Sequence, residues 1–173
     1  MKSLVVDASL SVRLILPDPQ RGVLRRRMEQ FVQEGYALYA PGLWLYEMTT
    51  ALCKAAFFGL VTADEAQQCL PLVHEMGIEL VAVDAEQVRL AFAWTQRLHR
   101  AAAFDSFYLA LAESLGCEFW TADQRLCNAV DLPWVRFVEE RQKPGSWREP
   151  GFSRGMPRIE RWIPDKIEPQ RIR

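Results

Sequence analysis

Four carboxylates, Asp7, Glu47, Asp105 and Asp123, are each embedded in apolar sequence where a chain of alternating strands and helices should turn inward. Asp7 closes the run Ser3-Leu4-Val5-Val6. Glu47 ends Gly42-Leu43-Trp44-Leu45-Tyr46-Glu47, Asp105 opens Asp105-Ser106-Phe107-Tyr108-Leu109, and Asp123 follows Phe119-Trp120-Thr121-Ala122. The flanking sequence offers none of them a convincing cationic partner. An uncompensated buried carboxylate is costly, so four together must be protonated, paired or bridged by a metal ion. Their placement points to a bound divalent metal, and an oxygen-only donor set suits Mg²⁺ or Mn²⁺ better than zinc.

The elements that must position these acids are written in the hydrophobic pattern. Strand-like runs at Leu4–Asp7, Tyr36–Ala40, Glu79–Val83, Glu118–Thr121 and Trp134–Val138 are separated by helical patterns. The helices expected are Ser9–Leu16, Pro19–Glu34, Gly42–Phe58, Thr62–Met76, Ala85–Arg100 and Ala103–Leu115, with a short one after Asp123. Such alternation indicates a parallel sheet with helices packed on it. Thr62 with Glu65 forms a capping signal, and Gly35, Gly59 and Gly116 stop helices. Open parallel sheets hold ligands outside the carboxyl ends of their strands, where Asp7 and Asp123 fall. Asp105 shares a helical face with Tyr108, Leu109 and Ala112. Glu47 shares one with Leu43, Ala51 and Phe58, with Lys54 further along it, so both acids point with an apolar stripe. One such acid is readily explained as a cap or salt bridge; four in register with one sheet edge are not.

With 173 residues, half of them hydrophobic and a quarter charged, the chain has the size and composition of one soluble domain. No apolar run approaches the ~20 residues of a membrane span. The start, Met1 to Asp7, is too short and too soon acidic for an export signal. Cys53, Cys69, Cys117 and Cys127 lack metal-site spacing and read as reduced thiols in elements of a cytoplasmic protein. Charge divides the chain. Residues 1–140 carry 12 Lys and Arg against 18 Asp and Glu, whereas residues 141–173 carry 9 against 4, with five of the ten prolines. A body of 1–140 and a basic, Pro-rich tail of 141–173 are therefore expected. The tail is either a solvated extension or is anchored by Trp147, Phe152 and Trp162 on its own domain or a neighbouring subunit.

The segment Val5-Val6-Asp7-Ala8-Ser9-Leu10-Ser11-Val12-Arg13, the helix from Pro41 to Leu52 bearing Glu47, and the pair Ala103–Glu113 and Trp120–Leu126 bearing Asp105 and Asp123 resemble, in order and spacing, the motifs of PIN-domain ribonucleases, particularly VapC-type toxins. The resemblance covers residues 3 to about 138. It implies a three-layer α/β/α sandwich with a central parallel five-stranded sheet and Mg²⁺- or Mn²⁺-dependent hydrolysis of RNA by Asp7, Glu47, Asp105 and Asp123. It also implies a homodimer held inactive by a cognate antitoxin. Ser9 and Thr121 flank the site in the family, where their hydroxyls can orient a carboxylate, a water or a phosphate. Phe104 and Ser106 stand where the family usually has Tyr and Ala.

Only two histidines, His74 and His99, could support a metal-free mechanism, and both fit a helix surface or simple packing. RNA must find local cations on an acidic body. Arg13, Arg97, Arg100 and the run Arg21, Arg25, Arg26, Arg27 are the candidates there, with the tail as the other basic surface. A phosphoacceptor domain would need a lysine that none of Lys2, Lys54, Lys143 or Lys166 supplies. A haloacid-dehalogenase-type phosphatase would need an acid where Ser9 stands. The remaining rival is a catalytically silent PIN-fold module acting through a protein or RNA partner.

Overall fold

The computed structural model describes residues 2–138; the expected tail lies outside the described residues. Its elements run β1 (Lys2–Val6), α1 (Ala8–Ile15), α2 (Arg21–Gln33), β2 (Tyr36–Pro41), α3 (Leu43–Phe57), α4 (Ala63–Glu75), β3 (Ile78–Val81), α5 (Ala85–Arg97), α6 (Phe104–Leu115), β4 (Glu118–Thr121), α7 (Gln124–Val130) and β5 (Val135–Phe137). All four strand pairings are parallel, in the order β3-β2-β1-β4-β5.

Central β1 shows why a parallel sheet forms here. Leu4, Val5 and Val6 are all buried, so the strand is covered on both faces and reads as an unbroken apolar run. Neighbouring residues of β4 define the two outer layers, because successive side chains of a strand point to opposite faces. Phe119 stacks on Tyr108 of α6, while Trp120 meets Phe31 of α2 edge-on. The chain is therefore an α/β/α sandwich, as expected.

Most boundaries fall within two residues of the sequence pattern. The Thr62–Glu65 capping box forms in full at the start of α4. Gly116 ends α6 at φ 59°, a left-handed turn that reverses the chain into β4. The largest helix difference is α5, expected to reach Arg100. It stops at Arg97 because His99 takes a left-handed conformation, φ 50°. Helical hydrogen bonding ends there, and Arg100 leaves the helix axis. On α3 the buried stripe is Trp44, Met48, Leu52 and Ala55, one position round from the one expected. Phe58 is exposed rather than inward, together with Tyr46 and Phe57. Sheet and α4 cover one side of α3 only, and the bulkiest run of its sequence does not decide which side.

Candidate active site at the carboxyl edge of the sheet

Parallel pairing of β1 with β4 aligns Val6 with Trp120, so the next residues, Asp7 and Thr121, meet at the carboxyl edge. Asp7 is both the end of a strand and the N-cap of α1, accepting the Leu10 amide at 2.9 Å on Oδ1. Its Oδ2 accepts from Ser9 Oγ at 2.7 Å and from Thr121 Oγ1 at 2.5 Å. Both hydroxyls also accept: Ser9 Oγ from the Ala122 amide at 3.1 Å, and Thr121 Oγ1 from the Asp123 amide at 2.9 Å. One carboxylate oxygen is thus the hub that ties the β1 end to the β4–α7 turn.

The other acids arrive on helices. Asp123 caps α7, accepting the Arg125 and Leu126 amides on Oδ1 at 2.8 and 3.1 Å. Glu47 sits in the second turn of α3, which is tied to α1 by the Trp44 indole donating to Ser11 Oγ at 3.1 Å. Ser11 Oγ in turn donates to the Asp7 carbonyl at 2.9 Å. The Tyr108 hydroxyl of α6 donates to Glu47 Oε2. Asp105 lies in the first turn of α6, three residues before Tyr108, on the same helical face.

Electrostatics join the four into one group, with Asp105 at its centre. Asp7, only 6 % exposed, has its carboxyl pushed up to about 6 by burial, against the lowering effect of its hydrogen bonds and with Asp105 adding to the rise. Burial likewise raises Glu47, and the charges of Asp105 and Asp7 raise it further. Burial raises Asp105 too, with Asp123 adding to the rise and Arg100 opposing it. Burial and the charge of Glu47 hold the Tyr108 hydroxyl firmly protonated, so it remains a donor.

Two of these contacts differ from what the sequence suggests. Asp105 has a cationic partner after all, the Arg100 guanidinium released by the early end of α5. Glu47 is answered by Tyr108, 61 residues away in sequence. The acids therefore share a field without converging: among the described residues no three His, Cys, Asp or Glu side chains form a ready cage for an ion. The chemistry of the set still suits a hard divalent cation. All four are oxygen donors, and Asp7 is buried with hydroxyls and an amide but no counter-charge.

The arginines considered for RNA are largely occupied. Arg13 Nη2 donates to the Ala122 carbonyl at 3.2 Å and Nη1 to Gln20 at 3.1 Å, bracing the turn before Asp123. Arg25 pairs with Glu29, Arg27 lies over the Trp120 ring, and Arg97 lies over Trp94. His74 and His99 are both exposed.

The fold and its acidic edge define a class of protein, and the chain belongs to the PIN-domain family, whose pattern it matches over residues 4–132. It is 34% identical over 126 residues to Ribonuclease VapC3 of Pyrobaculum aerophilum, an alignment covering 72% of this chain and 92% of the relative. Two solved structures share the fold. VapC20 of Mycobacterium tuberculosis, a sarcin–ricin loop cleaving toxin, superposes with TM-score 0.56 at 17% identity, covering 77% of this chain and 98% of that one. VapBC2 of Rickettsia felis, bound to a DNA fragment from their promoter, gives 0.57 at 10% identity over 78% and 96%.

Proposed function

We propose that this chain is a Mg²⁺- or Mn²⁺-dependent endoribonuclease that hydrolyses RNA phosphodiester bonds as the toxin of a toxin–antitoxin pair. The observation that carries the metal and the site is the buried Asp7 carboxyl in a group of four acids coupled through Asp105, a charge arrangement that a divalent cation would compensate. The kinship with Ribonuclease VapC3 supports RNA as substrate, and the VapBC2 neighbour supports an antitoxin partner. Asp7, Glu47, Asp105 and Asp123 are assigned as ligands. Ser9 and Thr121 orient Asp7, and the Thr121 hydroxyl also holds the Asp123 backbone. Tyr108 holds Glu47 until that carboxylate is required. The ion, when bound, supplies a more acidic water and neutralises charge on the scissile phosphate. Arg13 acts through the turn that carries Asp123, with its partly exposed guanidinium at the rim.

We assign the nuclease to residues 1–140 and treat 141–173 as a basic extension of a cytoplasmic protein. Among the described residues no helix is long and apolar enough to cross a membrane. Exposed Tyr46, Phe57 and Phe58 on α3 give apolar surface suited to a homodimer.

Purified protein incubated with total RNA should cut it with Mn²⁺ present and leave it intact in EDTA, and mapping the new ends defines the cleavage site. RNA left uncut under both conditions, with binding retained, would favour the silent module. The double replacement His74→Gln with His99→Gln should leave turnover within about tenfold, or ~1.4 kcal/mol of barrier. A thousandfold loss with activity surviving EDTA would instead support the histidine mechanism.

A further inference from the structure

We propose that Arg100 is a phosphate-binding residue held in reserve by Asp105 and released to the RNA backbone when a divalent cation takes Asp105 over. The inference rests on the metal-dependent reading above and assigns to one side chain the coupling between cation and substrate. Its contact with Asp105 falls on the acid whose charge acts on Asp7 and Glu47 and is itself acted on by Asp123. As long as Arg100 stays there, Asp105 is neutralised by a fixed charge and is not available to an ion.

Three features make the exchange workable. The two side chains are 30% and 38% exposed, and half-exposed ion pairs are weak. The backbone beneath the arginine is fixed: its amide donates to the Thr95 carbonyl at 3.1 Å, and Thr95 Oγ1 donates to Ser106 Oγ of α6 at 2.8 Å. Only the side chain need move. The third feature is the link to the ion. Arg13, Arg25, Arg27 and Arg97 have carbonyl, carboxylate or ring partners that metal binding does not disturb, and Arg26 and Arg125 are exposed cations whose side chains metal binding would not release. Arg100 alone of these is tied to a group that the ion itself claims. A guanidinium set free beside the metal is well shaped to grip two phosphate oxygens.

The test compares the full chain with Arg100→Gln and Arg100→Lys by calorimetric titration with Mn²⁺. It also measures binding of a 2′-O-methyl single-stranded oligonucleotide, checked to be intact, in Mn²⁺ and in EDTA. Without its internal competitor, Arg100→Gln should bind Mn²⁺ about fivefold more tightly, while the gain in oligonucleotide affinity on adding Mn²⁺ should shrink about tenfold. Arg100→Lys, which keeps the charge but not the two-pronged grip, should keep part of the gain. An unchanged Mn²⁺ affinity together with an unchanged gain in Arg100→Gln overturns the proposal. So does weaker Mn²⁺ binding with a lowered melting temperature, which makes the pair a structural salt bridge. A wild-type protein that binds no Mn²⁺ overturns the metal reading itself, whereas wild-type binding with an indifferent Gln variant overturns only the role of Arg100.

Discussion

Asp7→Asn should abolish RNA cleavage, by at least about a thousandfold or ~4 kcal/mol of barrier, and at the same time raise the melting temperature of the metal-free protein at pH 7. The stability gain follows from a carboxyl whose folded-state pKa, about 6, lies above its ordinary 3.8. Below pH 3.8 the group is protonated in both states and burial carries no charge penalty. As pH rises from 3.8 to 6, the unfolded chain ionises while the native one keeps its proton, so stability falls by up to about 3 kcal/mol. Asparagine keeps the Leu10 cap and cannot ionise. The asparagine Nδ2 cannot accept from Ser9 and Thr121, which offsets part of that gain, so at pH 7 in EDTA the variant should melt a few degrees higher, with the difference vanishing or reversing toward pH 4. Millimolar Mn²⁺ should stabilise the wild type and leave the variant unmoved. Calorimetric melts at pH 4 and 7 decide the matter: equal melting temperatures in EDTA at pH 7, or surviving cleavage, would contradict it.

Thr121→Val should produce the second-largest effect, a fall of about a hundredfold in kcat with a loss of roughly 2–3 kcal/mol in stability. Valine fills the same fully buried space, so the change is confined to a hydroxyl. That hydroxyl donates to Asp7 Oδ2 and accepts from the Asp123 amide, and its removal strands a backbone donor at a cost of ~1–3 kcal/mol. Two assigned ligands lose alignment together. Thr121→Ser should restore both activity and melting temperature. Wild-type kcat in the Val variant would reduce Thr121 to a packing residue.

Much of this architecture is readable along the chain because it depends on local pattern. The buried central strand β1 shows as an unbroken apolar run, Thr62 and Glu65 announce a helix start, and Asp7 and Asp123 stand at or just beyond strand ends. The features that sequence concealed depend on backbone turns and on packing between elements rather than on hydrophobic pattern. Arg100 pairs with Asp105 because His99, of a type that enters the left-handed region more readily than most, ends α5 three residues early. Tyr108 shows in the sequence as a neighbour of Asp105 on one helical face, yet its hydroxyl serves Glu47 on another helix. On α3 aromatic residues occur all round the helix, so hydrophobicity alone cannot say whether Trp44 or Phe58 faces the sheet. The resemblance to the family suggests the acidic set, but not which protein group holds each carboxylate.

The bond between Thr121 and Asp7 spans 114 residues, nearly the whole described chain. Contacts so distant in sequence close only after the intervening chain exists. During synthesis from the N-terminus, Asp7 and Glu47 are complete long before β4 has been made, yet neither Asp105 nor the strand that aligns Asp7 is present. The order of strands in the sheet therefore delays completion of the acidic edge until β4 has been translated.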